Sequence, residues 1–291
     1  MNINIKKQYI FFLLIILVNI YPVAWASIHV VAAENVYGNI TKELGGSFVT
    51  VTSILNNPAQ DPHLFSINAS IAKAIKEADI IIINGANYDP WMYPILRSSN
   101  EKQIDLIIVS NLINLPDQQN PHLWYLPTII PVFAKEVVSK LCIHDSKNCS
   151  YFVKRLNNFM ISFGEVQRKI KNLKNHYQDI AVIATEPLFN YMALSLGLKM
   201  YGEKFQLSMM NDLPPSISDI KEFEDNLRSH KVSLLFYNKQ VLNPLTNRML
   251  RIAKEEKIPI IGLSEMMPTH LSYTEWLMTQ LQMVDSALKH K

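Results

Sequence analysis

YFVKRLNNFMISFGEVQRKIKNLKNHY, residues 151–177, is the most regular stretch of the chain. Phe152, Leu156, Phe159, Phe163, Val166, Ile170, Leu173 and Tyr177 follow one another at spacings of 4, 3, 4, 3, 4, 3 and 4. That period puts them on one face of a helix of about 26 residues, roughly 39 Å long. Such a stripe can seal a dimeric coiled coil or pack inside its own chain. Its flanks lack clear opposite-charge partners, and its aromatics are bulky for a two-stranded seam. The pattern therefore predicts an internal connector that holds two lobes at nearly fixed separation, with a ligand site in the cleft between them.

Upstream, apolar runs alternate with amphipathic ones. IHVVAAEN reads as a strand, followed by a helix over 36–44 that Gly45-Gly46 closes. SFVTVTSIL alternates as a strand, and SINASIAKAIKEAD is helical, with Ser66 or Asn68 as N-cap. IIIING (80–85) and IDLIIVS (104–110) are continuous apolar runs, the mark of strands buried on both faces, with a helix expected over YDPWMYPILRS between them. Downstream the style repeats: strands at IAVIAT (180–185), SLLFYN (233–238) and IPIIGL (258–263), and helices after Pro187, over SISDIKEFEDNLRSHKV, over NPLTNRMLRIAKEEK and from Tyr273 to Leu288. The fold class is α/β: two lobes, each a parallel sheet flanked by helices, joined by one long helix. The expected boundaries are a signal peptide at 1–26, a first lobe at 27–148, the connector at 149–178 and a second lobe at 179–291.

MNINIKKQYIFFLLIILVNIYPVAWA opens with two lysines, then an apolar stretch from Tyr9 to about Ile20. Ala24 and Ala26 stand at −3 and −1 of a cut after Ala26, the pattern of a secretory signal. The apolar stretch is well short of the ~20 residues that span a bilayer, which counts against an uncleaved anchor. No cysteine follows the cut, which argues against a lipid anchor, so the mature protein is expected in the periplasm. Without Lys6 and Lys7 it carries 26 basic and 25 acidic residues, scattered, and nothing marks a nucleic-acid surface. The only two cysteines, Cys142 and Cys149, bracket a short polar loop. In an oxidising compartment they should close a disulfide. A zinc site with His144 lacks a fourth ligand at suitable spacing.

Ligands of open parallel sheets bind beyond the carboxyl ends of the strands. Metal-capable side chains fall there: His63 in DPHLF and His122 in NPHLWY from the first half, Glu186 and Glu265 from the second. In both histidine loops proline stiffens the backbone before the imidazole and an aromatic can exclude water. Two imidazoles and two carboxylates would hold a divalent transition metal. Glu34, Asp61 and Asn238 are further strand-end groups, suited to support the ligands. The blander readings stand beside these: a loop histidine is commonly a surface group, Glu186 could simply complement a helix N-terminus, and Glu265 could be solvated.

The chain resembles the periplasmic metal-binding, solute-binding proteins that deliver zinc or manganese to ABC transporters, in the cluster with a long rigid helix between lobes. The resemblance rests on DPHLF, ADIIIINGANYDPWM, NPHLWY, the connecting helix and TEPLFNYMALSLGL, and runs from about residue 28 to 288. It implies that His63 and His122 match the first two ligands, and that Glu186 takes a third place filled by His in many zinc binders and Glu in several manganese binders. The last ligand in the family is usually an Asp in an Asp-Pro context; this chain has GLSEMMP there, so Glu265 is the candidate. The acidic, His-rich loop common in zinc members is absent.

Hard carboxylates tilt the donor set slightly toward Mn2+, the Irving–Williams order favours Zn2+, and Fe2+ also fits. The resemblance implies capture of the ion, without catalysis, and delivery to a membrane permease driven by an ATPase; the stripe, used inside the chain, leads us to expect a monomer. Two other readings use the same residues differently. An exported metallohydrolase would need an open coordination position and a general base such as Glu34 or Asp61. A binder of an organic solute, or an adhesin, would leave the histidines incidental.

Overall fold

The computed structural model describes residues 27–58, 65, 67–98, 104–117 and 119–289. The signal segment with its cut after Ala26, and the candidates Asp61 and His63, lie outside the described residues.

The first lobe is built on β1 (Ile28–Glu34), β2 (Val49–Leu55), β3 (Ile80–Ile83) and β4 (Asp105–Ile108), with α1 (Asn35–Gly45), α2 (Ala69–Glu77) and α3 (Met92–Ser98) between them. α4 (Ile129–His144) completes it. All pairings are parallel and the order is β2-β1-β3-β4. All four residues of β3 are buried, as the run of isoleucines predicts for a strand covered on both faces. Gly46 ends α1 at φ +58, where a side chain would be strained, and the Asn68 side chain caps α2 by accepting from the Ile71 N–H at 3.0 Å.

The connector, α5 (Cys149–Tyr177), runs 29 residues, about 43 Å. Phe152, Phe159, Phe163, Val166, Ile170 and Leu173 are buried, and Leu156 and Tyr177 pack against them half-buried. The stripe lies against α1, α4 and α10 (Tyr273–Leu288), so its apolar face is satisfied within the chain. The Cys142–Cys149 disulfide, with Cα atoms 4.6 Å apart, ties the last turn of α4 to the first residue of α5. Closing so short a loop is worth roughly 2.5 kcal/mol on the chain-entropy account.

In the second lobe β5 (Ala181–Ala184), β6 (Lys199–Tyr201), β7 (Leu235–Asn238) and β8 (Ile260–Leu263) form a parallel sheet in the order β6-β5-β7-β8. α6 (Asn190–Ser195), α7 (Glu203–Met210), α8 (Ile217–Arg228) and α9 (Pro244–Glu255) connect and cover it. Each lobe thus repeats one wiring, second-first-third-fourth. The carboxyl ends of the middle strands β1, β5 and β7 carry Glu34, the loop of Glu186 and Asn238, and that of edge strand β8 carries the loop of Glu265.

Three departures from the sequence pattern have local causes. The helix expected from residue 88 starts at Met92, because the Asp89 carboxylate accepts from the backbone N–H of Asn84 (2.7 Å) and of Gly85 (3.0 Å) and folds 84–89 into a turn. The strand expected to reach Ser110 stops at Ile108 and continues as a 3-10 turn, Val109–Ile113. β6 and α7 were not anticipated: KMY is too short to show a period. Among the described residues no helix is long and apolar enough to cross a membrane.

The lobes are bonded directly as well as through α5. The Asn35 side-chain amide exchanges two hydrogen bonds with the Met267 backbone, at 2.8 and 3.1 Å. The Tyr125 hydroxyl donates to the Ser264 carbonyl (3.0 Å) and the Tyr273 hydroxyl to the Trp124 carbonyl (2.7 Å). One continuous core runs from β1 through Trp124 and Tyr125 to α10.

Candidate metal centre

Pro121 stiffens the loop that presents His122, and a 3-10 turn, Leu123–Tyr125, follows directly. The imidazole is buried, edge-on to Trp124 at 5.4 Å. Its Nδ1 lies 2.6 Å from the Asn120 Oδ1, which also accepts from the His122 backbone N–H at 3.1 Å. An amide oxygen can only accept, so we assign the proton to Nδ1. Nε2 is left as the atom that can bind a metal. Asn120 is itself anchored across the cleft: its Nδ2 donates to the Pro187 carbonyl (2.7 Å), and the Tyr191 hydroxyl donates to its own carbonyl (2.8 Å).

His122 Nε2 faces the Glu265 Oε2 of the other lobe at 4.0 Å. Glu265 follows β8 and is fully buried, so the solvated alternative fails. Its Oε1 accepts from Asn238 Nδ2 at 2.6 Å, its Oε2 accepts from the Tyr88 hydroxyl, and its backbone N–H donates to Gln240 Oε1 at 2.6 Å. Glu186 follows β5 and is buried at the head of the Pro187–Phe189 turn. It does not cap that turn with its side chain. Its Oε2 instead accepts from the same Asn238 amide, at 2.9 Å. Asn238, at the end of β7, therefore holds the two carboxylates side by side with a single nitrogen.

Three of the four expected ligands thus lie in one buried region, two of them in contact through Asn238 and two across a 4.0 Å gap. Among the described residues no group of three or more His, Cys, Asp or Glu side chains is arranged so that it could hold a metal ion. The fourth, His63, is outside those residues.

Glu34 stands behind this group, at the end of β1. It is fully buried, and neither carboxyl oxygen has a hydrogen-bond partner of ordinary geometry among the described residues. Burial, then the nearby Asp89 charge, pushes its pKa well above the usual carboxylate range. Burial likewise raises Asp89 to about 6, against the pull of its backbone N–H bonds. A carboxyl whose pKa is higher folded than unfolded binds its proton more tightly when folded. Its contribution to stability is largest below the unfolded value of 4.5 and declines as pH rises above it. Glu34→Gln keeps the shape and removes that titration. The variant is expected to melt above the wild type by roughly 3 °C or more at pH 8, with the gap closing toward pH 4.5, in thermal scans across that range.

The motifs drew attention to the ligand types but not to their supports. Tyr88, Asp89, Asn120 and Gln240 were not singled out. The stretch GANYDP carries the signal for the first two, since glycine, asparagine and aspartate cluster where a strand must end in a tight turn.

The model of one protein family, ZnuA, zinc-uptake complex component A, periplasmic, matches residues 30–287. The chain belongs to this family. Among its relatives, the manganese ABC transporter substrate-binding lipoprotein PsaA of Streptococcus pneumoniae is 22% identical over 249 residues, covering 80% of this chain and 78% of that protein. Among solved structures, the periplasmic zinc-binding protein TroA of Treponema pallidum superposes with a TM-score of 0.73 at 16% identity, over 90% of this chain and 99% of that one. FpvC of Pseudomonas aeruginosa, solved with Mn2+, superposes with a TM-score of 0.74 at 17% identity, over 91% and 99%. These likenesses establish the two-lobed fold with its long connecting helix as the family's fold.

Proposed function

We propose that this chain is an extracytoplasmic solute-binding protein that captures a divalent transition-metal ion, Mn2+ or Zn2+, between its lobes. It delivers that ion to the membrane permease of an ABC importer. The observation that carries the reading is the meeting of His122 with Glu265 across the cleft, with Glu186 tied to Glu265 through Asn238. Four side chains are the ligands: His63 and His122 from the first lobe, Glu186 and Glu265 from the second. Asn120 orients one imidazole, while Asn238 and Gln240 orient the carboxylate pair, as groups behind a metal site do.

The protein is exported by cleavage after Ala26 and acts as a monomer of two lobes, 27–148 and 179–291, on the connector 149–178. Its action is capture without catalysis. With α5 and the interlobe bonds fixing the lobes, loading and release move them little. The imidazoles bind metal only when neutral, so affinity should fall as pH drops toward ~6.

Protein purified without chelator should carry about one Mn or Zn per chain by elemental analysis, and added ion should raise its melting temperature. Absence of stoichiometric metal together with an unchanged melting temperature would overturn the reading. Turnover of simple esters or phosphates by the loaded protein would favour a metallohydrolase instead.

A further inference from the structure

We propose that Tyr88 is a selectivity-determining residue: its hydroxyl, reaching across the cleft to Glu265, makes that carboxylate a one-oxygen ligand and so favours Zn2+ over Mn2+. The proposal rests on the assignment of Glu265 as a ligand.

The geometry is specific to this turn. Gly85, Ala86 and Asn87 have φ of +73°, +50° and +60°, three successive left-handed residues that project the next side chain toward the second lobe. The Asp89 carboxylate locks the turn from behind through the Asn84 and Gly85 N–H groups. The Tyr88 ring is buried edge-on to Trp124 at 5.0 Å and stands 6.1 Å from the His122 ring. Its hydroxyl donates to Glu265 Oε2, while Asn238 donates to Oε1. One face of Tyr88 also lines a cleft of about 540 Å³ between the 86–91 turn and residues 210–212 of the other lobe.

A carboxylate that chelates a metal must turn both oxygens toward it. Here each oxygen already accepts a hydrogen bond from a buried, well-packed donor on a different element, and the two donors oppose the rotation that chelation needs. Glu265 is thereby offered through one oxygen, which keeps the coordination number low. Zinc accepts four ligands in a tetrahedral arrangement, whereas manganese prefers six, largely oxygen. The donor types alone lean toward manganese, but the restraint on Glu265 leans back toward zinc.

Tyr88→Phe removes the hydroxyl and leaves the ring packing. Competition titrations of wild type and variant with Zn2+ and Mn2+ give the ratio of the two affinities, and the Co2+-loaded proteins report coordination number through their visible d–d bands. The zinc preference of the variant should fall about tenfold, the lower end of what groups behind a ligand contribute. Its Co2+ bands should also weaken from the intense tetrahedral pattern toward the faint higher-coordinate one. A ratio within twofold of wild type and an unchanged Co2+ spectrum, with both proteins binding one ion, would overturn the proposal and leave the site reading intact. Failure of the wild type to bind either ion would overturn the site reading, and the proposal with it. A purely structural role for Tyr88 would lower the melting temperature without changing the ratio.

Discussion

His122→Ala should weaken Mn2+ or Zn2+ binding by on the order of a thousandfold. Losing a group behind a ligand typically costs 10–100-fold, and losing the ligand itself costs more. The imidazole is not an exchangeable surface group. It is buried, its proton is assigned to Nδ1 by Asn120, and its Nε2 is aimed at Glu265. The consequence for stability follows from mass action. At a free metal concentration 1,000 times the wild-type Kd, binding stabilises the wild type by about 4 kcal/mol. At the same concentration a variant a thousandfold weaker gains only about 0.4 kcal/mol. Paired thermal scans, with metal and with chelator, should therefore show a large shift in the wild type and almost none in the variant. Equal shifts in both would remove His122 from the site.

Trp124→Ala is the largest expected loss of stability. The indole is fully buried where the lobes meet, within 5.0–6.5 Å of the rings of Tyr37, Tyr88, His122 and Tyr125. Its carbonyl accepts the Tyr273 hydroxyl, so displacement of this segment would also strain an interlobe bond. Truncating a buried Trp costs about 3–5 kcal/mol, here roughly 5–10 °C of melting temperature. The indole N–H has no acceptor among the described residues, so Trp124→Phe loses no hydrogen bond and should cost less than half as much. Metal affinity should fall along with stability in the alanine variant, because the ring that walls His122 and Tyr88 is gone. A melting temperature within 2 °C of wild type for the alanine variant would show that the lobe junction does not depend on this packing.

Much of the architecture was legible because burial writes itself into periodicity. The 3.6-residue stripe of α5 and the all-apolar β3 each mark their element type, and both elements formed where the pattern put them. Strand ends are legible too, and they mark Glu186, Glu265 and Asn238 as candidates. Edge strand β6 was not: three residues hold no period, and its place is fixed by pairing with β5. The supports of the site were hidden for a different reason. Asn120 acts on a ring two residues away, but Tyr88 acts on Glu265 across 177 positions of sequence, and nothing local to either residue records that encounter. Glu34 and Asp89 show the same limit, since their raised pKa values arise from burial that only the folded sheet creates.

Anomalous diffraction from crystals of the full mature protein soaked in Zn2+ or Mn2+, collected at the metal edge, tests the shared site most directly. One strong peak per chain is expected, in the Zn2+ soak about 2.0–2.2 Å from an imidazole nitrogen of His63, from His122 Nε2 and from carboxylate oxygens of Glu186 and Glu265, and in the Mn2+ soak bound by the same four side chains. A peak bound by one lobe alone, or none between the lobes at saturating metal, would contradict it.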